Sequence, residues 1–404
     1  MERLTVNRIS GFHDVSGKNQ GTKAAVEAAL FNYIGLSGYE TIETPIVEDV
    51  DLFLRMSGGE LASQMYSFTA PGGHRVALRP EFTASIIRAF IDQTNQQTSN
   101  ETRWRYQGPI FRYEVQATKN PHQRTQVGGE FIGNSNLVAD AEVLRIASTG
   151  LTKMGLNRLQ LNIGHIGIIR SILRAFNLSE RAELFLMRNI QHLLDSEKGP
   201  IWVWELAEKL GMVRTRSNVE KADDINLMEA QNALGELLGI FDNQTATRRD
   251  LAQIQERFIG KIRNPDNPDQ LRKALDFLSE FCELRGETKN VLSDAEKLST
   301  TYKIDPVLLD PIKNLLEVLE TQQIENTEVS VNLGLARGIA YYTGMIFEIK
   351  HEASTDPLCG GGRYDDLVRA LGGGDLPALG FAYWIESIAD LCEVENINVN
   401  SDAI

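Results

Sequence analysis

Residues 103–133 read RWRYQGPIFRYEVQATKNPHQRTQVGGEFIG. Arg103 to Glu114 is rich in aromatic and apolar residues and reads as a strand. A loop, Val115 to Arg124, follows, and Thr125 to Gly133 returns as a second strand. Side chains alternate along a strand, so Arg112 and Glu114 share a face, as do Gln126, Gly128 and Glu130. An antiparallel pair would gather Arg112, Glu114, Gln126 and Glu130 on one surface. Polar groups so concentrated need a ligand, water or one another. The plainer alternative is a solvent-facing sheet.

Upstream, Lys18 to Leu36 has the spacing of an amphipathic helix. Glu40 to Val47, ETIETPIV, reads as a strand that Pro45 confines to an edge. Met65–Thr69 and His74–Leu78 read as a hairpin around Pro71-Gly72-Gly73. The second of these runs into Arg79-Pro80-Glu81-Phe82-Thr83, with a helix expected over Ala84–Phe90. Glu81, just before that helix, suits a capping role as well as a ligand role.

Downstream, Asp140–Met154 reads as a helix and Leu159–Ile163 as a strand. From 166 to 325 the texture turns helical, with helices expected over Ile169–Phe176, Ala182–Leu194, Trp202–Leu210, Asn226–Phe241, Asp250–Phe258, Gln270–Leu284 and Pro311–Thr321. Strand signals return at Val329. Val329–Leu335 and Met345–Ile349 read as a hairpin around GLARGIAYYTGMIFE, residues 334–348. Arg337 supplies a planar fork of donors suited to a carboxylate. Tyr341 and Tyr342 supply apolar faces with polar tips. Gly338 and Gly344 permit close backbone approach. Together they suit a small zwitterion. LCGGGRY, 358–364, reads as a glycine-rich turn before a helix, Asp365–Leu371, able to receive anions but lacking the Lys-Ser/Thr of a P-loop. Ala378–Tyr383 reads as a strand and Trp384–Leu391 as a helix.

The chain has 404 residues, enough for two or three domains. Lys and Arg number 41 against 55 Asp and Glu, a net charge of −14 that disfavours phosphate backbones without a local basic patch. No apolar run is long enough to span a bilayer, and the N-terminus lacks a basic-then-apolar leader. A cytoplasmic location, away from membranes, is expected. Three separated cysteines and six scattered histidines form neither a disulfide framework nor a metal-ligand array, so no metal or cofactor is expected.

The segments, taken in order, resemble the class II aminoacyl-tRNA synthetases, specifically the histidyl-tRNA synthetase family. TIETPIVE resembles motif 1, and LRPEFTAS, GPIFRYE and TQVGGEFIG resemble the amino-acid pocket with motif 2. GLARGIAYYTGMIFE and CGGGRYDDLV resemble the histidine-specific segments, and ALGFAYWIESI resembles motif 3. The resemblance implies an α+β fold, an antiparallel sheet flanked by helices. It implies a discontinuous core, 1–165 and 326–392, around a helical insertion, 166–325, and a short tail, 393–404, without an anticodon-binding domain. It implies that Glu81, Thr83, Gln126 and Glu130 hold an amino group, that Arg337 lies near the carboxylate, that Arg112 contacts the carboxylate or an α-phosphate, and that Tyr341 and Tyr342 shape the imidazole end. Motif 1 implies a homodimer.

Departures from the family pattern fall at the ATP end. Trp384 and Ser387 stand where motif 3 needs a small residue and an arginine, and the motif 2 loop, Asn120-Pro121-His122-Gln123-Arg124, lacks a clamp arginine. Ala340 replaces the aspartate before the paired tyrosines. A histidine pocket kept while ATP and tRNA features are lost resembles the ATP phosphoribosyltransferase regulatory subunit, as does GHIGIIRSILRAF, 164–176. That likeness implies a non-catalytic regulatory subunit that binds free histidine and joins a short-form ATP phosphoribosyltransferase catalytic subunit, with tRNA not a partner. The alternatives are a divergent histidyl-tRNA synthetase or other aminoacyl-adenylate former, and an orphan binding module.

Overall fold

The computed structural model describes residues 7–55, 59–93, 101–114, 121–213, 266–322, 324–336 and 341–399. The helices expected over Asn226–Phe241 and Asp250–Phe258, and residues Arg337 to Ala340, lie outside that set. The chain divides into two compact units, Met1–Ile168 with Leu284–Ile404, and Ile169–Glu283.

The first unit is built on a nine-stranded sheet. Its strands are β1 (Glu40–Thr41), β5 (Thr102–Phe111), β6 (Gln123–Ile132), β7 (Leu159–His165), β8 (Arg285–Glu287), β9 (Thr327–Asn332), β10 (Met345–His351), β11 (Cys359–Arg363) and β12 (Ala378–Trp384), in the spatial order β1-β5-β6-β12-β11-β10-β7-β9-β8. Pairing is antiparallel throughout except for β1 with β5 and β7 with β9. A small sheet, β2-β4-β3, joins β2 (Val47–Asp49), β3 (Ser67–Thr69) and β4 (Arg75–Leu78). This is the α+β, class II synthetase-like fold expected from the motifs.

The cross-strand register explains how one sheet serves two purposes. Trp104 pairs with Glu130, and Tyr106 with Gly128. Glu130 in turn pairs with Gly380, Gly128 with Ala382 and Gln126 with Trp384. Gly360 pairs with Ala382 across the next ladder. Directly opposed residues share a face, so these even-numbered positions line one side. The odd-numbered positions, Val127, Phe131, Phe381 and Tyr383 among them, are fully or almost fully buried. Three helices, Gly17–Leu36, Leu137–Lys153 and Ile385–Val394, pack against that side of the sheet. The Tyr383 hydroxyl donates to the carbonyl oxygens of Ile146 and Ala147 at 3.1 and 2.9 Å, tying β12 to the middle helix. Gly150 is required there, because a Cβ would lie 2.4 Å from that hydroxyl.

Four expectations change. GLARGIAYYTGMIFE does not turn a hairpin: β7 lies between β9 and β10, paired with both. The apolar runs flanking the turn looked like partners, but each is satisfied by the intervening strand. The ETIETPIV strand is split into β1 and β2, in different sheets. Pro45, which has no N–H to give a ladder, stands between the pieces. Cys359–Arg363 is a strand, not a turn, with Gly361 so close to the Gly380 carbonyl that a Cβ would lie 2.1 Å from it. Finally, the second compact unit is narrower than 166–325, since residues 284–325 group with the sheet. β8, Arg-Gly-Glu, pairs with β9 and has no apolar alternation to announce it.

Within the second unit, the helix expected over Ala182–Leu194 is two, Glu180–Arg188 and Ile190–Leu193, while Gly199–Lys209 and Pro268–Glu283 match expected ones. Ser179 caps the first of them through the Ala182 N–H. Phe277 stacks on Phe281 at 5.3 Å, and the Arg272 guanidinium lies 4.2 Å from the Trp204 ring. Among the described residues no helix is long and apolar enough to cross a membrane. No cluster of potential metal ligands occurs among them either.

Candidate functional site

The even-numbered face of the central strands is the floor of a pocket. Small residues keep it open: Gly360, Gly380 and Ala382 all line it. Its walls come from Glu81, Phe82 and Thr83 on one side and from Tyr341, Tyr342 and Tyr364 on another. The cavity proper is about 70 Å³ and opens to solvent.

Glu81 is where the capping and ligand readings meet. Its carboxylate accepts the N–H groups of Thr83 at 2.7 Å and Ala84 at 3.0 Å, so it caps the helix Thr83–Gln93. It also lines the pocket and is 4% exposed. Burial pushes its carboxyl upward, while the backbone donors and the nearby Arg112 charge act the other way. The helix itself is held by Arg88, which reaches Glu48 of β2 at 2.9 Å. Arg79 fixes the preceding turn by donating to the Pro109 and Thr44 carbonyl oxygens, each at 2.9 Å.

Glu130 sits deeper. One carboxylate oxygen accepts the Thr83 hydroxyl at 2.8 Å, and the other takes the Tyr364 hydroxyl. Burial pushes its carboxyl up to about 8, the Glu81 charge adds to the rise, and the hydroxyl donors oppose it. Gly380 makes the arrangement possible: a Cβ there would lie 1.7 Å from a Glu130 carboxylate oxygen. The aromatic wall is continuous. Tyr341 and Tyr342 are 5.1 Å apart, Tyr341 meets Tyr364 edge-on at 5.4 Å, and Phe82 stacks on Tyr106 at 4.3 Å. Burial pushes the hydroxyls of Tyr106, Tyr341 and Tyr364 well up, so each remains a neutral donor.

The opposite end is organised by Trp384. Arg112 and Arg124 lie over its ring at 5.7 and 4.2 Å. Arg112 donates from Nε to the Pro80 carbonyl at 2.8 Å, and Arg124 donates to the Ser387 hydroxyl at 3.2 Å. Glu386 accepts the Thr125 N–H at 2.9 Å, fixing the start of β6 against the last helix.

Of the residues singled out in the sequence, Glu81, Thr83, Arg112, Gln126, Glu130, Tyr341, Tyr342 and Trp384 line this pocket together. Ser387 stands behind Trp384 as the Arg124 partner. Arg337 and Ala340 fall outside the described residues. Glu114 is not in the lining, since β5 ends at Phe111 and the two-residue period stops with it. Tyr106, Tyr364, Phe82 and Gly380 were missed. Tyr106 was within reach of the same alternation that picked Gln126. Tyr364 and Gly380 lie in β11 and β12 territory, and nothing local marks them as neighbours of Glu130.

A central antiparallel sheet with a pocket on one face and helices on the other is the class II aminoacyl-tRNA synthetase architecture. The sequence profile described as histidyl-tRNA synthetase matches residues 11–197 and 218–388. The histidine–tRNA ligase of Sulfurisphaera tokodaii is 30% identical over 394 residues, covering 97% of this chain and 76% of that protein. The chain belongs to the histidyl-tRNA synthetase family. Among solved structures, the ATP phosphoribosyltransferase regulatory subunit/histidyl-tRNA synthetase from Bacillus halodurans superposes with a TM-score of 0.67 at 22% identity, covering 98% of this chain and 84% of that one. A histidine–tRNA ligase subunit from Alicyclobacillus acidocaldarius gives 0.60 at 23%, covering 98% of this chain and all of that one. These two likenesses concern the fold.

Proposed function

We propose that this chain binds free histidine and serves as the non-catalytic regulatory subunit of an ATP phosphoribosyltransferase, rather than charging tRNA. Glu81 and Glu130, with Thr83 and Gln126, take the amino group. Arg112, together with Arg337, takes the carboxylate, and Tyr341 and Tyr342 bound the side-chain end. The observation that carries the reading is Trp384, whose indole covers the floor beside Arg112 and is held under Arg124. A nucleotide triphosphate needs open floor and a cation clamp at that end. An indole and a serine supply neither, and losing such a charge from a reacting phosphate costs several kcal/mol of catalysis, roughly 3–4 per donor in acyl transfer.

Feedback by histidine requires that it bind two assembly states unequally, since equal affinity shifts no equilibrium. The chain is expected to form a homodimer and to pair with the short-form catalytic subunit, with no cofactor. The test is reconstitution. Mixing the chain with a purified short-form catalytic subunit should raise phosphoribosyl transfer, and histidine should then suppress it. No gain on mixing removes the regulatory role. The second reading, a divergent synthetase, is favoured by the 30% identity to a histidine–tRNA ligase. It requires histidine-dependent exchange of pyrophosphate into ATP, and that exchange would replace the first reading.

A further inference from the structure

Two carboxyl groups line the pocket together, and both are almost excluded from water. Glu130 is 1% exposed and Glu81 is 4% exposed. Thr83 bridges them, its N–H given to Glu81 at 2.7 Å and its hydroxyl to Glu130 at 2.8 Å. Like charges at such a site oppose joint ionisation. We propose that the Glu81–Glu130 pair retains one proton, carried on Glu130, when no ligand is bound, and that a docking cationic amino group drives that proton out to solvent. This rests on the amino-acid-binding reading of the same pocket and adds how the pocket reads the charge of its ligand.

The groups facing Glu130 make it the member that exchanges. Tyr106 comes from β5, Tyr341 from the segment before β10, Tyr364 from the end of β11, and Tyr39 from behind the sheet. All four are held as neutral hydroxyls by burial. Arg112 is the cation whose charge acts on Glu81. Glu81 is further committed to the anionic form by its two backbone donors, whereas Glu130 takes hydroxyl donors, which serve either form. Gly380 lets the Glu130 carboxyl lie close against the β12 backbone, where any Cβ would collide with it. In the exchange, the Glu130 O–H bond breaks and its electron pair stays on the carboxylate. The proton passes to buffer. The ligand's N–H groups join the Thr83 and Tyr364 hydroxyls as donors to the new carboxylate.

The test is calorimetric titration of the full chain with L-histidine, in two buffers of different protonation enthalpy, near pH 7 and near pH 9, with the free ligand's own protonation subtracted. The expected result is release of close to one proton near pH 7 and almost none near pH 9. Apparent affinity should rise roughly fivefold from pH 7 to pH 8, because the linked proton is already half lost from the free pocket at the upper pH. Glu130→Gln should abolish both the release and the slope. Binding near pH 7 with no proton released overturns the proposal and leaves the amino-acid reading intact. Absence of histidine binding at every pH overturns that reading instead. The pair is then judged without ligand, by the infrared carboxyl band of the wild type minus that of Glu130→Gln. Loss of that band near pH 8 supports the retained proton, and loss below pH 6 overturns it.

Discussion

Glu130 and Trp384 stand on the same face of the same sheet, on neighbouring strands, four residues apart in register. Glu130 is hemmed by hydroxyl donors and by a glycine that makes room for it. Trp384 is a large apolar plate with two guanidinium groups over it. One end gathers two buried carboxyls under backbone and hydroxyl donors. At the other end Arg124 is held by the Trp384 ring and the Ser387 hydroxyl, and Arg112 gives its Nε to the Pro80 carbonyl while still lining the pocket. On the proposed reading, binding and activation can be separated on one scaffold because the register places the two ends on different residues of β6 and β12.

If the ends are independent, damage at one should leave the other alone. The largest expected effect is Trp384→Ala. Trp384 is 8% exposed, and truncating a buried tryptophan removes about 3–5 kcal/mol of stability. Denaturant unfolding should show that loss, while histidine affinity in calorimetry changes less than about threefold, or about 0.7 kcal/mol. A drop beyond tenfold would mean that the ends are coupled. Gly380→Ala should do the reverse. Its Cβ displaces the Glu130 carboxyl, and overpacking of this kind costs about 1–3 kcal/mol of stability. The larger damage is to binding, with histidine affinity expected to fall about a hundredfold, about 2.7 kcal/mol. Unchanged affinity would show that Glu130 is not the amino-group partner.

Those two substitutions also mark how far the sequence could be read. Glu81, Gln126 and Glu130 were found by strand alternation and by their place before a helix, signals that survive without tertiary structure. The register that pairs Glu130 with Gly380 spans 250 residues of chain and leaves no local trace. The same limit explains the supposed hairpin at 334–348. Two β-branched runs around a glycine turn look alike whether they pair with each other or with a strand between them, and β7 is far away in sequence. β8 escaped because two charged residues around a glycine at a sheet edge carry no pattern.

The acidic end should also show in pH dependence. Burial raises Glu130 to about 8 from 4.5. Between those values the folded chain holds a proton that the unfolded chain has released, so the stability from this group is present at low pH, falls through the window and is level above it. From pH 6 to pH 8 the wild type should lose about 2 kcal/mol relative to Glu130→Gln, each pH unit of bound-proton difference being worth 1.36 kcal/mol. Parallel unfolding curves for the two proteins across that range would remove the protonated Glu130 from the account.

The smallest expected effect is at Arg124, and it probes the Trp384 end most directly. Its guanidinium lies 4.2 Å from the Trp384 ring and reaches Ser387, but its Nε has no hydrogen-bond partner among the described residues. Burial pulls its pKa down, with the Glu386, Asp356 and Glu114 charges working the other way. Arg124→Met keeps most of the volume over the indole and removes the desolvation of a charge. The stacking lost is worth about 0.5–2 kcal/mol, and the desolvation recovered is of the same order, so stability should stay within about 1 kcal/mol of the wild type. Histidine affinity should not move, because Arg124 is not among the residues lining the pocket. A loss of more than about 3 kcal/mol would be the cost of breaking a buried charge pair. It would mean that Glu386 and Arg124 act as one unit, and that the Trp384 end is held by electrostatics rather than by packing.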